Sequence, residues 1–406
     1  MKRIILTLMV SIIMLLPIGC GGTDAVSDES KRVVNLTIWH DKEEGIAEAL
    51  QNELDKLKPG IEVNLERKSG LTEALKLVGN DQRAAPDMYF FAHDKMGVYA
   101  EMGILSPITD FISDEELTAF LPMTISAVTY KDTIYQLPIY FETLLFMYNK
   151  ALMKEENVPH TTEDLYQFML SGAGGRFGFL EQHSTAYYSA GWIHGFGGAI
   201  IDLDGRPLID TKETIEALEY RKKFVDMMPG ESEYATVTTL FLEGRAASTI
   251  NGPWLIPTIR QRGVDLGLAP MPLVSKTGLP LAPYSGIQGL HVLKVAADNP
   301  GKNAAIKEVL SLLLSPDIGV SIAMASGSAP ALIECYDFYE IKNDEMVMMM
   351  RETAENAVPM PNIPEMDVMW VVLSNLLVDI FMRGVDVPEA CADAQTRAEN
   401  LIRAMR

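Results

Sequence analysis

The amino-acid sequence predicts an α/β fold. Short apolar strands alternate with helical periodicity near its start, and turn residues mark each change of period. A chain of 406 residues also has room for two domains. Leu36 to Trp39 is a short apolar strand, and Ile46, Leu50, Leu54 and Leu57 then recur at helical spacing. Pro59-Gly60 stops that helix. Ile61, Val63 and Leu65 alternate with polar residues, as on a half-buried strand. A helix from about Leu71 to Val78 follows, and then the apolar strand Met88 to Phe91. This β-α-β-α-β order places ligand contacts in the loops after the strands.

Further along, Tyr130 to Thr133 predicts a hairpin turn, and Leu144 to Met147 an apolar strand leading into Tyr148-Asn149-Lys150. Asp202-Leu203-Asp204-Gly205 has the start of a calcium loop but lacks the rest, so a solvated Asp-Gly turn is expected. From Thr211 onward the pattern is mostly helical, with Gly286 to Val295 as the strand exception. The methionines between Met346 and Met350 suit helix core.

Lys2 and Arg3 precede an apolar run from Ile4 to Ile18, the pattern of a secretory signal. Gly19-Cys20 ends that run and resembles a bacterial lipobox, although Leu16 sits one place early and Pro17 holds the usual leucine position. The expected organisation is a signal peptide at 1–19 and a lipid-anchored tether at 20–30, with lipidation at Cys20. The alternative is an ordinary cleaved signal with an incidental cysteine. The polar, glycine-bearing stretch from Gly21 to Ser30 favours the anchor. A diacylated cysteine holds a protein on a membrane without spanning it, here on the outer face, or in the periplasm of a two-membrane cell. The formal net charge of −21 repels phosphate backbones and excludes nucleic acid as a partner. Six histidines without close paired spacing argue against a zinc site, and no cofactor motif is present. Cys335 and Cys391 fall in different helical contexts, which favours two free, buried thiols.

Several separated blocks carry a family resemblance. Pro86-Asp87-Met88-Tyr89-Phe90-Phe91-Ala92-His93-Asp94-Lys95 resembles P-D-x-x-F-W-A-H-D-R of maltose-binding proteins. Tyr148-Asn149-Lys150 is similar to the Y-N-K after the first crossover in those proteins. Thr249 to Trp254 matches T-I-N-G-P-W, Met360 to Trp370 matches M-P-N-I-P-x-M-x-x-x-W, and Asp393 to Arg397 matches D-A-Q-T-R. The blocks keep order and near-family spacing from about residue 33 to the end. The chain therefore resembles the maltose/maltodextrin-binding protein family.

The resemblance implies a two-lobed periplasmic-binding-protein fold with a hinge between the lobes. It implies an N-terminal lobe of residues 31–141 and 288–337 and a C-terminal lobe of residues 142–287 and 338–406. Chain crossings are expected near Ile139–Glu142, Ser285–Gln288 and Tyr336. It implies a monomeric, non-catalytic capture protein that delivers malto-oligosaccharide to the permease of an ABC importer. Sugars present paired hydroxyls for carboxylates and ammonium groups, and C–H faces for aromatic rings. Asp94, Lys95, Trp254 and Trp370 fall within the matching blocks, and Phe91 stands at a stacking position. Asp41, Lys42, Glu66, Glu142, Tyr187 and Tyr234 complete the expected ligand-binding set, with Met360 packing beneath it.

The departures concern the sugar rather than the class. Phe91 replaces a tryptophan, and Lys95 replaces an arginine and loses its planar fork. His40 enters a shortened loop after Trp39. Thr185 falls where the family has a glutamate, with Glu181 nearby, and Ser374 stands near a familiar arginine. A different oligosaccharide or glycosylated ligand therefore remains the alternative. A glycosidase needs two carboxyls across one glycosidic bond, and nothing in the sequence suggests that pairing.

Overall fold

The computed structural model describes residues 33–405, so the signal peptide expected at 1–19 and the tether expected at 20–30, with Cys20, lie outside the described residues. Val34–His40 runs parallel to Ile61–Arg67 on one side and to Met88–Ala92 on the other. Parallel neighbours need a crossover, and helices Glu44–Leu54 and Leu71–Val78 supply the two used here. Both helices bury aliphatic side chains at helical spacing: Ile46, Leu50 and Leu54 in the first, Leu71 and Leu75 in the second.

Two sheets organise the chain. The larger has eight strands; its main path runs Ala329–Pro330, Leu137–Thr143, Tyr284–Leu293, Met88–Ala92, Val34–His40, Ile61–Arg67. The smaller runs Leu266–Ala269, Leu145–Asn149, Ala246–Asn251, Phe177–Leu180. Only Leu144 separates the strand that leaves the large sheet from the one that enters the small sheet. The chain returns between Ala269 and Tyr284. After Ala329–Pro330 it passes through helix Glu345–Glu355 to Val358–Pro359, which pairs beside Tyr284 and Ser285. Helix Met366–Phe381 then packs on helices Ala186–Gly195 and Val387–Met405, on the small-sheet side. The α/β two-lobed class expected from the sequence is the one the chain adopts.

Each sheet has its own core. Phe90, Leu290, Ile306 and Val309 belong to the large-sheet core, and Phe146, Phe179, Trp192 and Phe224 to the small-sheet core. A third cluster fills the junction, joining Phe141 and Ile287 of the large sheet to Leu145 and Met147 of the small one. Met346 and Met350 of helix Glu345–Glu355 pack into this junction, as the methionine run suggested.

Several local expectations are met in detail. The hairpin at Tyr130 to Thr133 forms, with Lys131 at φ 45° and Asp132 at φ 61°, the left-handed pair that a tight two-residue turn requires. Asp202 closes its turn by accepting backbone N–H groups from Asp204 and Arg206 through Oδ1. Cys335 and Cys391 are buried free thiols. One expectation is corrected: the region after Thr211 is not helical apart from Gly286 to Val295. It also holds the strands Ala246–Asn251 and Leu266–Ala269. Every residue of Ala246–Asn251 is buried on both faces, so the alternation that marks a half-buried strand is missing.

Candidate functional site

The ends of the strands bring the lobe-one candidates together. Asp41 and Lys42 follow strand Val34–His40, and Asp94 and Lys95 lie in the short helix His93–Lys95 directly after Met88–Ala92. Both strands are parallel, so both pairs stand at carboxyl ends of one sheet, the position where open α/β sheets place ligands.

Lys42 is buried among polar partners. Its Nζ donates to Gln288 Oε1 at 2.8 Å and lies 2.7 Å from Asp41 Oδ1. It also sits 5.5 Å from the centre of the Phe91 ring and 5.7 Å from that of Phe90, within cation–π range. The backbone N–H of Lys42 donates to His40 Nδ1 at 3.1 Å. Burial holds the His40 imidazole below its ordinary value, which keeps that nitrogen an acceptor. The histidine that enters the shortened loop thus fixes the lysine beside it.

Gln288 carries the contact onward. Its Nε2 donates to Glu142 Oε1 at 2.8 Å, and Ser328 Oγ donates to Glu142 Oε2 at 3.3 Å. Burial pushes the Glu142 carboxyl above its ordinary value, against the opposing pull of Lys42, Gln288 and Ser328. The result is a row Asp41, Lys42, Gln288, Glu142 with both donor and acceptor atoms.

Asp94 is buried, and its cationic neighbour is Lys95, 3.7 Å away. His93 anchors this turn. Ile287 N–H donates to its Nδ1 at 3.1 Å, so its Nε2–H donates to Met360 O at 2.9 Å. Burial keeps His93 below its ordinary value and therefore neutral.

Lobe two contributes an aromatic row. Trp254 follows strand Ala246–Asn251 in the turn Pro253–Leu255, Tyr187 opens helix Ala186–Gly195, and Trp370 lies in helix Met366–Phe381. Tyr187 stands between the other two, with ring centres 6.4 Å from each. Tyr284 meets Trp370 edge-on at 5.8 Å. Tyr187 is tied to Tyr284 O by a long 3.4 Å hydrogen bond. Burial raises the Tyr187 phenol, and the negative fields of Glu142 and Asp94 raise it further. Tyr187 thus lies within electrostatic reach of the carboxylates of Glu142 and Asp94. Phe91 packs against both the small-sheet core and the junction cluster, so its ring sits at their seam.

Two further candidates make no hydrogen bond or ion pair with these rows among the described residues. Glu66 accepts from Trp39 Nε1 at 3.1 Å and Asn64 Nδ2 at 3.0 Å, and pairs with Lys68 at 2.9 Å. The Lys68 hydrogen bond, ahead of those from Trp39 and Asn64, holds its carboxyl below the ordinary range. Among the described residues no hydrogen bond or ion pair links this group to Glu142 or Asp94. Tyr234 is exposed at the head of helix Tyr234–Leu242, where burial and then Glu43 of the opposite lobe raise its phenol.

Two loose matches prove structural. Glu181 is fully buried, takes two bonds from Trp192 Nε1 at 3.1 Å, and pairs with Arg221 at 2.8 Å. It holds the small-sheet core and does not stand in for a platform glutamate. Ser374 Oγ accepts the N–H of Ala186 at 3.4 Å, next to Tyr187, and supports the start of that helix. Sequence reasoning missed Gln288, Ser328 and Tyr284, and also Asp367, which pairs with Lys95 and Lys76. Asp367 lies inside the matched Met360 to Trp370 block and was the one of these with a local signal. Among the described residues no group of three or more His, Cys, Asp or Glu side chains is disposed to hold a metal ion.

Two lobes joined by a packed junction, with charged groups at strand ends of one and a row of rings on the other, define a two-lobed solute receptor. The chain belongs to the bacterial extracellular solute-binding proteins, whose family pattern matches residues 49–348. It is 32% identical over 345 residues to a maltotriose-binding protein of Pyrococcus abyssi, covering 82% of this chain and 75% of that protein. It is 26% identical over 374 residues to a maltodextrin-binding protein of Bacillus subtilis, covering 87% and 86%. Its fold is similar to the solved maltose/maltodextrin-binding domain of Bdellovibrio bacteriovorus bound to maltotriose, with a TM-score of 0.82 and 24% identity over 91% of this chain and all of that one.

Proposed function

We propose that this chain is the capture subunit of an ABC importer for malto-oligosaccharides, held outside the membrane by a lipid on Cys20. The observation that carries the reading is a Trp254, Tyr187, Trp370 row in the same chain as a buried Lys42, Gln288, Glu142 row, with Tyr187 in the field of Glu142. Rings take the apolar faces of glucose units, and the carboxylates and ammonium group take their hydroxyls. Relatives named for maltotriose and maltodextrin support this ligand class.

The lobes correspond to residues 31–141 with 288–337 and residues 142–287 with 338–406, and the protein works as a monomer. Closure of these lobes on sugar is the signal the permease senses. The reading is non-catalytic, and relatives named as binding proteins support it.

Titration calorimetry of Trp370→Ala with maltotriose tests the ring half of this assignment. The expected loss is about 1 kcal/mol or more from stacking. Unchanged affinity in both Trp370→Ala and Trp254→Ala removes the aromatic row from the site. Release of reducing ends from maltodextrin would overturn the non-catalytic reading.

A further inference from the structure

Asp367 is the second residue of helix Met366–Phe381 and stands one turn before Trp370 on the same face. Its carboxylate takes two ammonium groups from the opposite lobe, Lys95 Nζ at 2.5 Å and Lys76 Nζ at 2.7 Å. Lys95 in turn lies 3.7 Å from Asp94. Lys76, Asp367, Lys95 and Asp94 thus form an alternating row that crosses the interlobe gap with protein atoms alone. The row is sheltered: Lys95 is 14% exposed and Asp367 26%, so bulk salt screens it less than a surface pair. Burial alone would raise the Asp367 carboxyl; the hydrogen bonds from Lys76 and Lys95 outweigh it and hold the group below its ordinary value.

A second bridge lies on the same side. Asn362 Nδ2 donates to Ala127 O and to Thr129 O, both at 2.8 Å. Gly97 makes the close approach possible, since a Cβ there would fall 2.1 Å from Asn362 O. The far end of the aromatic row differs. Tyr234 is 41% exposed, and among the described residues no hydrogen bond or ion pair joins its side chain or that of Trp254 to the opposite lobe.

We propose that Asp367 determines ligand length and direction by acting as a strut that closes the Trp370 end of the cleft. This deepens the glucan reading and rests on it. A bound chain ends beside Trp370 and extends only toward Tyr234. A further sugar ring at the closed end would have to strip Asp367 from both lysines. The lysine at the family's arginine position is therefore spent on protein rather than on sugar.

The test uses the exported chain and its Asp367→Ser variant at low salt. Calorimetry compares maltotriose with two blocked forms, one carrying 4-nitrophenyl at the reducing end and one carrying an ethylidene acetal on the non-reducing ring. In the parent, one blocked form is expected to lose at least about tenfold against maltotriose, and the other less than about threefold. In Asp367→Ser the rejected form recovers to within about threefold of maltotriose in the same protein. Acceptance of both blocked forms by the parent, rejection of both, or persistent rejection by the variant overturns the proposal. Small-angle X-ray scattering of the sugar-free proteins gives a readout that needs no ligand. Asp367→Ser is expected to show the larger radius of gyration at low salt, with the difference shrinking at high salt. Equal radii at low salt overturn the strut. If maltotriose itself gives no heat, the glucan reading falls, and scattering alone decides the strut.

Discussion

Gly252→Ala moves a stacking ring without removing it. Gly252 has φ −89° and ψ 170°, an extended conformation that alanine adopts freely. Its added Cβ would lie 2.1 Å from Trp254 Cη2, 2.2 Å from Cζ3 and 2.4 Å from Cζ2, where ordinary contact begins at 3.4 Å. The indole must retreat by the difference, about 1.3 Å, which forfeits most of a close-contact dispersion gain. Stacking at such a site is worth about 0.5–1.5 kcal/mol, so maltotriose affinity should fall about two- to tenfold. The assay is titration calorimetry of parent, Gly252→Ala, Trp254→Ala and the double variant, with circular dichroism to confirm folding. The double variant should bind no more weakly than Trp254→Ala, because both changes act through one ring. A folded Gly252→Ala protein that binds within twofold of the parent would refute the claim that Trp254, held in this position, forms part of the sugar platform.

Other perturbations probe the charged groups. Glu142 has a carboxyl raised above 4.5, so it takes up its proton at a higher pH than a free glutamate. Binding through its carboxylate should weaken as pH falls through that raised value, and this acid limb should vanish in Glu142→Gln. An identical pH profile in parent and variant contradicts this. Glu181→Gln leaves Arg221 buried without its counter-charge and should destabilise the fold by about 3–5 kcal/mol, read as a lowered denaturation midpoint. A midpoint equal to the parent's would show that Arg221 finds another partner. Asp367 has a carboxyl held below 3.8, so its contribution to interlobe contact is present above that value and is lost as pH falls through the lowered one. Scattering should show opening only at strongly acid pH.

Much of the fold is legible along the chain, because its first elements are local patterns. Ile46, Leu50 and Leu54 share one helix face, and Leu71 to Val78 forms as spaced. The positive φ of Lys131 and Asp132 follows from a two-residue turn. Ala246–Asn251 is not legible as a strand, because burial on both faces erases its alternation. The site divides in the same way. Asp94, Trp254 and Trp370 lie within short ordered blocks that sequence alone exposes. Lys42 meets Gln288 across 246 residues, and Lys95 meets Asp367 across 272. Pairings that distant leave no local pattern, so Gln288, and the ion-pair role of Asp367, emerge only when the sheets bring the segments together. Glu181 shows the opposite case: it lies near the family's glutamate position, where Thr185 falls by spacing, yet the helix carrying Arg221 claims it for the core.

Capture of an α-glucan between the two lobes is what the whole assignment rests on. Titration calorimetry of the exported chain with maltose, maltotriose, cyclodextrin and trehalose tests it most directly. Saturable binding of at least one α-glucan is expected at micromolar affinity or better, about −8 kcal/mol or more favourable. No binding heat with any of the four would contradict it.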